Sequence, residues 1–142
     1  WLGPWLAETE NTPDLLAETG FRYVLDYGAD DQPMWLTTPR GRLLALPYSQ
    51  EINDSVAIVG RQVGADSFAD MIVDQIEEMR RPAAERPRAF GLALHANIAG
   101  QPFRLRHLRR ALAHLETRAD ECWITGADAI AEAVHQTPEV FV

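Results

Sequence analysis

A histidine, two adjacent aspartates and two tryptophans are the residues of this chain best placed to do chemistry. His95 closes the apolar run at residues 90–94, within the segment AFGLALHANIAGQPFRLRHLRRALAHL. Such a run reads as a short buried parallel strand. In strand–helix folds the carboxyl ends of the strands and the loops after them carry the site. His95 therefore stands at the mouth of a candidate site, unless it merely ends the strand and bonds a backbone group. Asp30 and Asp31 lie in the loop GADDQPMW with Gln32 and Trp35. Two such acids can hold a cation, orient a catalytic group or bind a polar substrate; a run of this kind is equally an ordinary acidic turn. An imidazole with a carboxylate makes a general acid–base set, so His95, Asp30 and Asp31 are the candidate catalytic residues. Trp5 and Trp35 are candidate aromatic walls for a substrate. Glu51 and Asn53, in QEIND, are polar groups that can face the same mouth. Asp54 beside them reads as a helix cap for residues 55–60.

The elements that must position these groups follow from pattern. Gly-Pro in WLGPWL puts the first tryptophans on a turn. Thr12-Pro13-Asp14 starts a helix, with threonine as cap and proline at the first helical position, and Gly20 stops it. FRYVL, residues 21–25, is a strand. Residues 34–37 and 43–46 form a hairpin about Pro39-Arg40-Gly41-Arg42. Asp66 or Ser67 opens a helix carrying Phe68, Ile72, Ile76 and Met79, which Pro82 should stop near Arg81. The leucines at 105, 108, 112 and 115 mark a further helix after Gly100 and Pro102. Residues 122–124 read as a last short strand, and Thr125-Gly126-Ala127-Asp128 as the cap of a last helix. The sum is an α/β chain of one domain, residues 1–142, with few core-like strands and an inserted hairpin.

Composition narrows the function. A net charge of −8 argues against nucleic-acid binding. The arginines at 104, 106, 109 and 110 fall on a leucine-faced helix, and read as its solvated side. The sequence shows no long apolar run to span a membrane. One cysteine, Cys122, permits no intrachain disulfide and suits a reducing, cytoplasmic setting. No phosphate-binding glycine loop, zinc motif or nucleophile elbow is present, and His107 and His114 read as surface or boundary residues.

Four segments together resemble one family. WLGPW, YVLDYGADDQPMWL, LPYSQEIND and GLALHANIAGQPFRLRHLRRALAHL look like the polysaccharide deacetylase superfamily, and are most similar to its allantoinase-like branch, which acts on cyclic ureides and imides. The resemblance runs from Trp1 to about Val134. It implies the carboxyl-terminal part of a distorted (β/α)7 barrel and hydrolysis of a C–N amide bond. It further implies that Leu94-His95 matches the late histidine that serves as general acid, that Asp30, Asp31 and Trp35 fall on the acid-and-tryptophan loop, and that residues 1–5 form the pocket loop. The family's metal-binding aspartate and histidine pair belong to its first half, upstream of Trp1, so no cofactor is expected of this chain. Ala96 replaces the proline that often follows the late histidine.

Hydrolysis of an amide or imide needs activated water, a stabilised oxyanion and a protonated leaving nitrogen. The resemblance gives the third task to His95. The expected partner is a small cyclic amide or an N-acetylated sugar, with no nucleic acid and no membrane, and a homo-oligomer is open. The alternative is a non-catalytic module that pairs with itself or with a partner chain through an open sheet edge.

Overall fold

The computed structural model describes residues 1–83 and 86–140. It groups them into two compact units, Trp1–Tyr48 together with the segment from Thr125 onward, and Ser49–Ile124.

The first unit is built on a three-stranded sheet of order β1-β3-β2. β1 is Tyr23–Val24, β2 is Met34–Thr38 and β3 is Gly41–Ala45. β2 and β3 form the expected hairpin, in register from Met34 opposite Ala45 to Thr38 opposite Gly41, so that Pro39 and Arg40 alone make the turn. The hairpin is not an appendage: β3 pairs in parallel with β1 on its other edge and is the centre of the sheet. Its alternating residues are buried on both faces. Leu43 and Ala45 pack with Leu16 and Val24, whereas Leu44 and Leu46 pack with Ala131 and Val134. Leu16 comes from helix α1, Thr12–Glu18, and the last two from a helix at Ala127–Gln136.

Several expected boundaries move. β1 is two residues rather than five, because beyond it Leu25 donates its amide to Trp1 and not to a sheet neighbour. Thr12 does not cap α1. Asn11 precedes the helix, and the Thr12 hydroxyl instead accepts the Thr9 amide at 3.0 Å. Gly20 does end α1, at φ +87°, with its amide on Ala17 and the Phe21 amide on Leu16, the pairing of a Schellman motif.

The second unit is a helix pair. α2 runs Ala65–Ala83 and α3 runs Pro102–Glu116; the helix at Ala127–Gln136 is thus α4. α2 starts before Asp66 and runs on past Arg81 to Ala83, so the helix ends just after Pro82 rather than at Arg81. Phe68, Ile72 and Ile76 of α2 meet Leu108 and Ala111 of α3, with Ile52, Ala57, Ile58 and Ala99 closing the core. At the far end Glu77 gathers His114 Nε2 at 2.7 Å, Arg118 Nε at 2.9 Å and Arg80 Nη1 at 2.7 Å. Arg110 pairs with Asp70 at 2.7 Å, so part of the basic face of α3 is neutralised within the unit.

Two expected strands are absent. Residues 90–94 make only a single bridge, Asn53 with Ala93 in parallel, and residues 122–124 are irregular. Apolar residues supply burial, but a ladder also needs a neighbour with free backbone groups. Residues 55–60 do form a turn, of π-helical type. Asp54 precedes that turn without capping it through its side chain. Gly126 precedes α4, and no side-chain cap bond forms there.

Candidate active site

The bridge between residues 52–54 and 93–95 builds the site in the second unit. Ala93 donates its amide to Ile52 at 3.1 Å, and Asp54 donates its amide to Ala93 at 3.1 Å. The two segments therefore run side by side, and both end on a polar residue. Immediately after, the Ile98 and Ala99 amides turn back to the His95 carbonyl at 2.9 and 3.0 Å. A Cβ on Gly100 would stand 2.2 Å from the Ala96 oxygen, so only glycine lets this turn close before α3 begins.

Asp54 sits inside the turn with 0% exposure. Its Oδ2 accepts the backbone amides of His95 at 2.8 Å and Ala99 at 3.1 Å. Its Oδ1 lies 2.6 Å from His95 Nδ1. A carboxylate only accepts, so Nδ1 carries the proton and donates it to Oδ1. The imidazole is 49% exposed. One edge of the ring is thus fixed by a buried anion while the rest meets solvent. This is how a carboxylate holds a histidine's tautomer and orientation for proton transfer.

The candidates inferred from sequence fall in both units. Beside His95, Asn53 accepts the Ser55 amide at 2.9 Å and so shapes the turn after the bridge. Glu51 is exposed and ion-paired with Arg61. In the first unit, Asp30 and Asp31 lie on an exposed loop, with the Asp31 amide bonded to Asp30 Oδ1 at 2.6 Å. Trp35 is half-buried on β2, with the Arg42 guanidinium 4.6 Å above its ring and His135 edge-on at 5.1 Å. Trp5 is 98% exposed at φ +60°.

Asp54 is the functional residue that sequence reasoning missed. An aspartate before a short helix looks the same whether it caps that helix or reaches a distant loop. What separates the two is the partner, His95, and nothing local to Asp54 names it. A second group also escaped: Glu8, Asp26 and Tyr27 in the first unit. Burial raises Glu8 above its usual value, and burial together with the Glu8 hydrogen bond pushes Tyr27 up to about 12. Among the described residues no three His, Cys, Asp or Glu side chains converge where they could hold a metal ion.

No protein-family profile matches the chain. It is similar to Puue allantoinase, at 30% identity and a TM-score of 0.83, over 92% of this chain and 44% of that one. A structure from Mycobacterium smegmatis, described as a polysaccharide deacetylase, matches at 27% identity and 0.82, over 96% and 49%. A curated Schizosaccharomyces pombe protein of the same description is 27% identical over 115 residues, 73% of this chain and 36% of that protein. The chain thus spans less than half the length of each of these relatives. Its mixed helices and small sheet are those of part of a deacetylase- or allantoinase-type barrel domain. Sequence and fold together support a likeness to part of the domain of the polysaccharide deacetylase superfamily.

Proposed function

We propose that this chain supplies the proton donor of a C–N hydrolase acting on a small cyclic ureide or imide. The observation that carries the reading is the 2.6 Å contact between His95 Nδ1 and the fully buried Asp54. Cleavage of an amide leaves a nitrogen that must be protonated as it departs. An imidazolium that donates from Nε2 to that nitrogen keeps its Nδ1 proton on Asp54 throughout. The fixed anion thereby holds the ring's tautomer and its aim. The 30% identity to an allantoinase favours a cyclic ureide over an N-acetylated sugar.

The test is hydrolysis of allantoin, with an N-acetylated chito-oligosaccharide as competitor, together with the His95 ring resonances on titration with either. His95→Asn should lower the rate by about 10²–10⁴-fold, the usual worth of a positioned acid. An unchanged rate in that variant ends the reading. So does a His95 ring that neither ligand perturbs.

A second reading rests on residues 90–94, which are bridged to one neighbour through Ala93 alone. Such an edge can pair with a second copy or with a partner chain. A monomer by light scattering across a wide concentration range would count against self-pairing.

A further inference from the structure

Where the chain first meets the sheet, the turn carrying Trp5 is strained. Trp5 and Leu6 both take positive φ, 60° and 55°. Neither residue adopts that region cheaply, and two in a row persist only where other contacts hold them. Those contacts converge on Asp26, at the end of β1. Asp26 is 8% exposed and accepts the Gly3 amide on Oδ1 at 2.7 Å. A Cβ on Gly3 would stand 2.8 Å from Asp26 Oδ2 and 2.9 Å from the Ala7 carbonyl, so the backbone is wedged against the carboxylate.

The other side of Asp26 is anomalous. Its Oδ2 and both carboxyl oxygens of Glu8 are shielded from solvent, and apart from the Tyr27 hydroxyl at Glu8 no N–H or other donor serves them. The titratable groups facing one another here are Glu8, Asp26 and Tyr27. Two adjacent carboxylates cannot both stay ionised out of water. A metal ion would need a third ligand of the usual kinds, and no such trio occurs among the described residues.

We propose that Glu8 and Asp26 share a single proton, and that this proton latches the Trp5 turn to the end of β1. The proton resides on Glu8 and is donated to Asp26 Oδ2. That leaves Asp26 Oδ1 free to hold the Gly3 amide. Burial and the neighbouring Asp26 raise Glu8 in the direction this requires. The sign follows directly. A carboxyl whose folded value lies above its unfolded one stabilises fully below the unfolded value, and loses that stabilisation as pH rises through the folded value. The latch is therefore closed in acid and released as pH rises. Release lets Trp5 leave its strained, fully exposed pose. A substrate-facing aromatic would then be presented in a pH-dependent way, independently of whether His95 acts as an acid.

Two measurements on the wild-type protein, Glu8→Gln and Asp26→Asn test this. One is the carbon-13 titration of the Glu8 carboxyl; the other is hydrogen exchange across residues 1–8, corrected for intrinsic rate. The wild type should show Glu8 titrating above the usual 4.5. Protection should fall by at most tenfold per pH unit between the usual 4.5 and that midpoint, the slope of one released proton, and level off above it. The glutamine amide of Glu8→Gln donates to Asp26 permanently, so its protection should be flat with pH. In Asp26→Asn, Glu8 should return towards its usual value. A wild type and Glu8→Gln with the same pH profile would overturn the proposal, as would Glu8 titrating at or below 4.5. Protection abolished by EDTA and restored by calcium would assign the cleft to a cation and overturn it as well.

Discussion

Replacing Asp54 by alanine and by asparagine separates what this residue does for the fold from what it does for the ring. The carboxylate accepts three hydrogen bonds with 0% exposure. Alanine removes both acceptor oxygens and all three bonds. The Ala99 amide keeps its 3.0 Å bond to the His95 carbonyl, so the His95 amide is the backbone donor left without a partner. One orphaned donor plus a lost charge-assisted pair should cost about 2–5 kcal/mol. Asparagine keeps the volume, and its amide oxygen can stand where Oδ2 stood and accept both backbone amides. Its NH2 then faces His95 Nδ1 and donates to it, which forces the ring proton onto Nε2. The expected cost is about 1–2 kcal/mol of stability, but about 10²-fold or more in rate, because the reacting group is mis-set rather than missing. Urea unfolding at constant m-value measures the first quantity. Nitrogen-15 shifts of the His95 ring and the hydrolysis rate measure the second. An alanine variant within about 1 kcal/mol of wild type, or an asparagine variant with an unchanged tautomer, would refute the assignment.

The turn that holds this pair should be as sensitive as the pair itself. In Gly100→Ala the new methyl would meet the Ala96 carbonyl at 2.2 Å; we expect a loss of about 1–3 kcal/mol and faster exchange of the Ala99 amide. A melt indistinguishable from wild type would show that the turn adapts. At the other end of the helix pair, the Arg118 and His114 hydrogen bonds hold the Glu77 carboxyl down to about 2. Its stabilisation is fully present above the usual 4.5 and is lost as pH falls through about 2. Urea midpoints measured between these limits should fall less steeply in Glu77→Gln than in wild type, and equal slopes would remove Glu77 from the acid response.

What the sequence made legible was mostly what is local. The hairpin about Pro39 and Arg40, the stop at Gly20 and the leucine-faced helix after Pro102 each depend on residues a few positions apart. Strand pairing does not. Residues 90–94 carry the right apolar pattern, yet only Ala93 finds a parallel neighbour, because pairing depends on what lies beside the segment in space. β3 shows the converse: it read as half of an inserted hairpin, but burial on both faces comes from α1 and α4, which flank it from opposite directions along the chain. The site divides the same way. His95 was visible as a polar residue ending an apolar run. Its partner was not, since Asp54 carries the local signature of a cap and its true contact is 41 positions away.

The placement of α4 has a consequence for how the chain comes off the ribosome. Leu44 and Leu46 are covered on one face by Ala131 and Val134, which are made long after them. At roughly 5–20 residues per second, the intervening eighty or so residues take on the order of 4–16 s. Throughout that interval a finished hairpin presents bare leucines to solvent or to a chaperone. The Ser49–Ile124 unit can meanwhile close its own core. Synthesis therefore completes the interior stretch first and the outer one last, and any early arrest would leave a sticky sheet rather than a small stable protein.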